Sequence, residues 1–316
     1  MSKAGPKYVF GPVPSRRLGR SLGVDMVPFK TCTYDCVYCQ LGRTTNKTIE
    51  RKSYIAIDEI LAELEQKLSA KDTPDYITLS GSGEPTLNSG VGDLIGSIKD
   101  LTDIPVAVLT NGSLLWMREV QDALMAADLV LPSLDAGDEQ LFRYVNRPHS
   151  SISFELMADG IAAFTKRFQG EVRLEVLLLG GVTGIPAEVE KIASAVRRIG
   201  PARVQLNTVS RPPAEEFAVP VDQDQLERLL RFFPKPIEII SENKPGKFQP
   251  ARALTVTNAN ILALLRRRPC TVQDVSSGLG VNASEAAKRL YRLSQKDAVT
   301  LVRKDGTVYY RTKDVQ

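Results

Sequence analysis

Short β-branched apolar runs alternate six times with longer amphipathic segments, and this alternation limits the fold more than any other feature of the chain. The runs at 22–27, 76–80, 106–110, 129–134, 172–179 and 204–208 each end in turn or polar residues. Helical patterns fill the intervals at 58–68, 91–99, 115–126, 153–168, 187–199 and 223–232. In the first of these, Ile60, Leu61, Leu64 and Leu68 recur at the spacing of one helix face, with Asp58 as a candidate N-cap. Six strand–helix units predict a parallel sheet with right-handed crossovers, and near-continuous apolar runs are typical of buried parallel strands. An open doubly wound sheet and a six-stranded barrel-like sheet both satisfy the pattern. Both place ligands at the C-terminal strand ends.

Residues 234–255 change character, becoming rich in Pro, Lys, Gly and Gln, as a linker or closing loop would be. Three short helical patterns follow, at 258–266, 271–278 and 282–295, with Gly280 in the turn between the last two and Ala286, Leu290 and Leu293 at helical spacing in the third. Strands at 299–303 and 308–311 flank Asp305-Gly306, a strong hairpin signal. Three helices and a hairpin predict a winged helix-turn-helix. The expected division is 1–240, a linker at 241–255, and 256–316.

The chain has 316 residues, of which 43% are hydrophobic and 25% charged, so a large core is available. No apolar stretch approaches the roughly 18 residues of a membrane span, and residues 1–10 lack the apolar region of a secretory signal. A cytoplasmic protein is expected. Residues 1–52 carry ten Lys/Arg against three acids, and residues 256–316 carry eleven against five. Two basic ends around an acidic middle suit an anionic partner such as RNA, or simply a solvated surface.

Three of the four cysteines fall within eight residues, as Cys32-x3-Cys36-x2-Cys39. A disulfide framework would spread them out. Three thiolates on one loop can instead hold three irons of a 4Fe–4S cubane, leaving the fourth iron open to a small molecule. Zinc is the rival, but a closed zinc site wants four ligands, and only His149 and the distant Cys270 remain. The trio follows the first expected strand, at the end where such sheets bind ligands.

The segment from Thr31 to Gln40, with Tyr38 before the last cysteine, resembles the signature of the radical SAM superfamily. The resemblance covers roughly residues 20–240 and implies a partial TIM barrel of six strand–helix units, which decides between the two architectures. It implies that Cys32, Cys36 and Cys39 ligate a 4Fe–4S cluster. The open iron would be chelated by the amino and carboxylate groups of S-adenosylmethionine (SAM). One electron would then split the S–C5′ bond to give a 5′-deoxyadenosyl radical that abstracts hydrogen from a substrate. A reducing partner such as ferredoxin or flavodoxin is implied as well.

Further motifs fit that resemblance. Ser80-Gly81-Ser82-Gly83-Glu84-Pro85 resembles the family's GGEP motif, whose backbone and acidic side chain hold the SAM amino group, although Ser82 interrupts the glycine pair. Thr110-Asn111-Gly112 resembles a family strand end that faces the site. Ser133 and Asp135 end the fourth run, two residues apart and therefore on one side of a strand. Glu175 and Asn207, with Arg173 and Gln205 as weaker candidates, are polar residues in buried strands that need partners. A bound nucleoside offers them. The expected SAM contacts are therefore Tyr38, Gly81, Gly83, Glu84, Asn111, Ser133, Asp135, Glu175 and Asn207. No catalytic residue acting on the substrate is identified. The arginines of the basic loop at 11–20 could grip phosphate or carboxylate, and His149 reads as a loop residue before an acid–base group.

The stretch 11–42, with Pro132–Ala136 and Asn146–His149, resembles a radical SAM group related to wyosine-synthesis enzymes, which modify a guanosine in tRNA. Those enzymes carry a second cluster on further cysteines. This chain has only Cys270 to spare, so the wyosine reaction itself is not expected, and a related chemistry without an auxiliary cluster stays open. The basic third helix of the C-terminal segment, with Lys288, Arg289, Arg292 and Lys296, could lie on nucleic acid. Three functional classes stand open: radical SAM modification of tRNA or another RNA, the same chemistry on a peptide or small metabolite, and an iron–sulfur redox sensor acting through a nucleic-acid-binding winged helix.

Overall fold

The computed structural model describes residues 8–69, 73–240, 257–304 and 306–313. The chain enters as β1 (Val9–Ser15), turns, and returns antiparallel as β2 (Gly19–Val24). Two-residue strands β3 (Thr31–Cys32) and β4 (Asn46–Lys47) pair in parallel beyond the end of β2. There follow α1 (Ile57–Leu68), β5 (Tyr76–Leu79), α2 (Val91–Leu101), β6 (Val106–Thr110), α3 (Arg118–Ala123), β7 (Leu129–Pro132), α4 (Glu139–Val145), α5 (Phe154–Arg167), β8 (Glu171–Leu178), α6 (Pro186–Ile199), β9 (Arg203–Thr208), α7 (Gln223–Leu229) and β10 (Ile237–Ile239). The sheet order is β1-β2-β5-β6-β7-β8-β9-β10, parallel throughout except for β1.

Alternation along β8 shows how the layers form. Val172, Leu174, Val176 and Leu178 are buried in the main core with residues from all seven helices α1–α7. Arg173, Glu175 and Leu177 point to the opposite face. Among the described residues, no helical layer covers that face. Leu18, from the β1–β2 turn, packs there on Ala107, Leu129 and Leu131. Helices on one face alone match a partial barrel and rule against the doubly wound alternative.

Several boundaries differ from expectation. The run at 22–27 becomes β2, which starts at Gly19 and stops at Val24, because Asp25 turns into a buried ion pair. β1 is hidden in the sequence by Pro12 and Pro14, which an edge strand tolerates because its outer N–H groups need no partner. Helix α1 begins one residue before Asp58; its N-cap is Ala56, which makes no side-chain cap, and Asp58 sits in the first turn, where its charge favours the helix dipole. The pattern at 115–126 yields only α3, since Leu114 and Leu115 are buried in a turn pressed against Gly160. The pattern at 223–232 ends as a 3₁₀ turn after Leu229. Helix α4, capped by Asp138 accepting from the Leu141 N–H at 2.9 Å, was not expected. Neither was β10, which lies inside the stretch read as linker; residues 241–255 of that linker lie outside the described residues.

The C-terminal segment forms α8 (Asn258–Arg267), α9 (Val272–Leu279), α10 (Ala283–Gln295) and an antiparallel pair, β11 (Val299–Lys304) with β12 (Thr307–Thr312). Thr271 and Asp274 cap α9 reciprocally, and Gly280 ends it in the left-handed conformation. Asp305 of the expected turn lies outside the described residues. This unit has its own core of Ile261, Leu264, Leu265, Cys270, Val275, Ala286, Leu290, Leu293 and Val299.

Candidate active site

The cysteine loop lies beyond the C-terminal end of β2. Within it the Cys39 N–H donates to the Cys36 carbonyl at 3.1 Å, and the Gly42 N–H to the Cys39 carbonyl at 3.0 Å, giving two successive turns. Asp35 clamps them: one carboxylate oxygen accepts the Thr44 N–H at 2.8 Å, the other Arg43 Nε at 2.8 Å. The segment after α4 supports the loop with its backbone. Asp35 N–H donates to the Asn146 carbonyl at 3.1 Å, Val37 N–H to the Val145 carbonyl at 2.9 Å, and His149 N–H to the Thr33 carbonyl at 2.8 Å. His149 Nδ1 accepts the Ser151 N–H at 3.3 Å, so His149 is a loop residue, as expected.

Cys32, Cys36 and Cys39 are free thiols. Burial pushes all three up, Cys32 to about 12, with the Glu84 carboxylate adding to the effect on Cys32 and the Asp135 carboxylate to that on Cys36. Bare thiolates are therefore costly here, and a cationic iron core would offset that cost. Two amides aim at the sulfurs: Asn111 Nδ2 lies 3.5 Å from Cys32 Sγ, and Asn146 Nδ2 lies 3.5 Å from Cys36 Sγ. Such donors orient and tune cluster ligands. Among the described residues no three His, Cys, Asp or Glu converge as they would around a single metal ion. A cubane makes no such demand, since each cysteine binds a different iron. The residues fit a cluster.

The glycine loop after β5 is laced to the cysteine loop. The Lys30 N–H donates to the Ser82 carbonyl at 2.7 Å, and the Glu84 N–H to the Thr31 carbonyl at 3.1 Å. A Cβ on Gly83 would strike that Thr31 carbonyl. Gly81 adopts φ +108°, and a Cβ there would strike the Asp25 carboxylate, so both glycines are required. Glu84 is buried and already accepts four hydrogen bonds, from Thr86 N–H at 3.1 Å, Thr86 Oγ1 at 2.6 Å, Thr110 Oγ1 at 2.7 Å and Asn111 N–H at 2.8 Å. It welds the ends of β5 and β6 and leaves little of its carboxylate for a ligand.

The remaining candidates divide into two groups. Asp135 is buried and joins Tyr38, whose hydroxyl donates to it, to the Asn146 amide at 2.8 Å and the Leu177 N–H at 3.1 Å. Burial raises its carboxyl to about 6. Because β7 stops at Pro132, strand alternation does not relate Ser133 to Asp135; Ser133 instead bridges Glu175 through the backbone. Glu175 accepts from Arg17 and, at 2.8 Å, from Asn207 Nδ2. These polar strand residues thus satisfy one another, which weakens the argument that each awaits a nucleoside. Arg173 pairs with Glu171 at 2.6 Å and Gln205 donates to Glu238 at 2.9 Å, so both are structural. Sequence reasoning missed Thr33 and Asp25, although Asp25 is a charge within the apolar run at 22–27. Arg17 and Asn146 were named only as members of candidate loops, and the structure supplies their partners, Glu175 for Arg17 and Cys36 and Asp135 for Asn146.

The profile of the radical SAM superfamily matches residues 26–196. The UPF0026 protein of Methanocaldococcus jannaschii is 34% identical over 308 residues, covering 95% of this chain and 94% of that one. A protein named GTPase Obg from Brachyspira hyodysenteriae is 39% identical over 311 residues; it covers 98% of this chain, which spans only 46% of that relative. Among solved structures, a radical SAM methyltransferase from Sphaerobacter thermophilus aligns with a TM-score of 0.50 at 16% identity, covering 69% of this chain and 66% of that one. At that identity the likeness concerns the fold alone.

Proposed function

Since the chain belongs to the radical SAM superfamily, whose enzymes use a 4Fe–4S cluster and SAM, we propose that Cys32, Cys36 and Cys39 hold the cluster and that the loop from Gly81 to Glu84 cradles SAM beside it. The observation that carries this reading is the lacing of the glycine loop to the cysteine loop through Lys30, Thr31, Ser82 and Glu84. A cluster held there would supply the single electron for reductive cleavage of the SAM sulfonium. The chain's own residues bind and orient. Asn111 and Asn146 direct amide donors at the cysteine sulfurs. Tyr38 and Asp135 tie the loop to β8. Gly81 and Gly83 let backbone approach the ligand, and Glu84 fixes the rim. Glu175, held by Arg17 and Asn207, is the polar group of β8 proposed to face the ligand, with Ser133 bridged to it.

We assign residues 1–240 to the partial barrel and 256–316 to a winged helix. The proposed substrate is an RNA, by a chemistry related to wyosine synthesis but without a second cluster, because Cys270 is buried in the C-terminal core. Support comes from the outer side of α10, where Lys288, Arg292 and Lys296 are exposed and Tyr291 is 62% exposed, the mix of cation and aromatic that phosphates and bases favour. The setting proposed is cytoplasmic, with ferredoxin or flavodoxin as reductant; among the described residues no helix is long and apolar enough to cross a membrane. Anaerobically reconstituted protein, given SAM and a strong reductant, should form 5′-deoxyadenosine, and Cys36→Ala should not. Formation at equal rates in both would refute the assignment.

A further inference from the structure

The C-terminal unit touches the sheet near both ends. On one side Tyr309 Oη donates to the Ser210 carbonyl at 3.2 Å, Lys304 Nζ donates to the Arg211 carbonyl at 3.2 Å, and Arg211 pairs with Asp274 at 3.5 Å, all on the loop after β9. On the other side Val13 of β1 packs into the C-terminal core, and Arg267 reaches Asp25.

This second contact is buried and leads into the site. Arg267 Nε lies 2.7 Å and its terminal nitrogen 2.6 Å from Asp25 Oδ2, with Arg267 8% and Asp25 5% exposed. The guanidinium is held on its other sides by the Ala263 carbonyl at 2.7 Å and by the Phe10 ring, whose centroid is 4.2 Å away. Asp25 Oδ1 accepts both the N–H of Ser82 at 2.8 Å and its hydroxyl at 2.9 Å. The Ser82 carbonyl in turn accepts the Lys30 N–H, two residues before Cys32. One carboxylate therefore joins a helix of the C-terminal unit to the middle of the glycine loop.

We infer that Arg267 is a positioning residue for SAM: by fixing Asp25, it holds Ser82 and the glycine loop in the ligand-binding conformation, so the C-terminal unit is an integral part of the cofactor site. This rests on the reading that the loop from Gly81 to Glu84 cradles SAM. The physical reason is asymmetry. With Arg267 removed, Asp25 is a buried charge without its cation and must rotate toward water or take up a proton, and either change releases the two Ser82 hydrogen bonds. Lysine at 267 keeps the charge and loses the fork geometry.

The test uses full-length, anaerobically reconstituted holoprotein. SAM affinity is measured by equilibrium dialysis, and hydrogen exchange is followed in the segment 80–85 without SAM. Arg267→Met should speed exchange at 80–85 and weaken SAM binding roughly tenfold, as loss of charge-assisted hydrogen bonds would. Iron content should be unchanged. Arg267→Lys should restore part of the affinity. The double variant Asp25→Asn/Arg267→Met carries no buried charge; it guards against a folding failure of the single variant and should still bind SAM weakly. A merely structural Arg267 would loosen α8 and leave 80–85 as protected as in the wild type, and that result overturns the inference. Gly83→Ala separates the two claims. If it abolishes SAM binding while Arg267→Met and the double variant bind as the wild type does, the inference fails and the cradle stands. If Gly83→Ala binds SAM normally, the cradle reading itself fails, and the inference with it.

Discussion

Asp35 does more for the cysteine loop than any residue that faces the cluster position. It closes a ten-residue turn by holding Thr44 and Arg43 against the start of the loop, and its own N–H is tied to Asn146. Asp35→Ala should therefore lower iron retention by roughly 10- to 100-fold in a chelator competition, the usual cost of losing support behind metal ligands. Retention equal to the wild type would show that the loop closes without the clamp. Asp135 gives a pH signature. Its native carboxyl lies near 6, above its ordinary value, because it is buried. The native state thus keeps a proton that the unfolded chain has lost. This contribution to stability is full below about pH 4, declines as pH rises through about 6, and is flat above. In metal-free protein, the unfolding free energy of wild type relative to Asp135→Asn should fall by about 1–3 kcal/mol between pH 4.5 and 7. Parallel pH profiles for the two proteins would contradict the assigned environment.

At the scale of elements, β8 shows what the sequence made plain and what it concealed. Its alternation places Leu174 fully in the core, and Leu174→Ala should cost about 2–5 kcal/mol in urea unfolding, through the cavity it leaves. A loss below about 1 kcal/mol would mean that the helices collapse onto the gap. The sequence marked Glu175 as a polar residue in a buried strand that needs a partner, yet gave no sign that it would lie on the face opposite the helices or that Arg17, 158 residues away, would meet it. Elements whose periodicity is local, such as α6 and α9 with their Gly200 and Gly280 ends, were readable because hydrophobic spacing and caps act within a few residues. β1 was unreadable because Pro12 and Pro14 look like loop until a neighbouring strand exists. Within the site, the cysteine spacing stood out by itself. The Tyr38–Asp135 bond and the Asp25–Arg267 pair span 97 and 242 residues, and only the folded chain brings them together.

For the molecule as a whole, the basic C-terminal unit meets the sheet domain through the Arg267–Asp25 pair on one side and the Arg211–Asp274 pair on the other. If α10 lies on RNA, binding should weaken linearly in the logarithm of salt concentration. Replacing Lys288, Arg292 and Lys296 together with alanine should reduce that slope by about 2–3. An unchanged slope would remove α10 from the interface. The proposed cofactor site makes a sharper demand: Cys32, Cys36 and Cys39 should hold a cubane whose fourth iron is left for SAM. Iron, sulfide and zinc should be measured on full-length protein purified without oxygen, and the electron paramagnetic resonance spectrum of the reduced sample recorded before and after SAM is added. The expected result is about four irons and four sulfides per chain, with a spectrum that shifts on adding SAM. About one zinc per chain and no sulfide, with all three thiols intact, would contradict it.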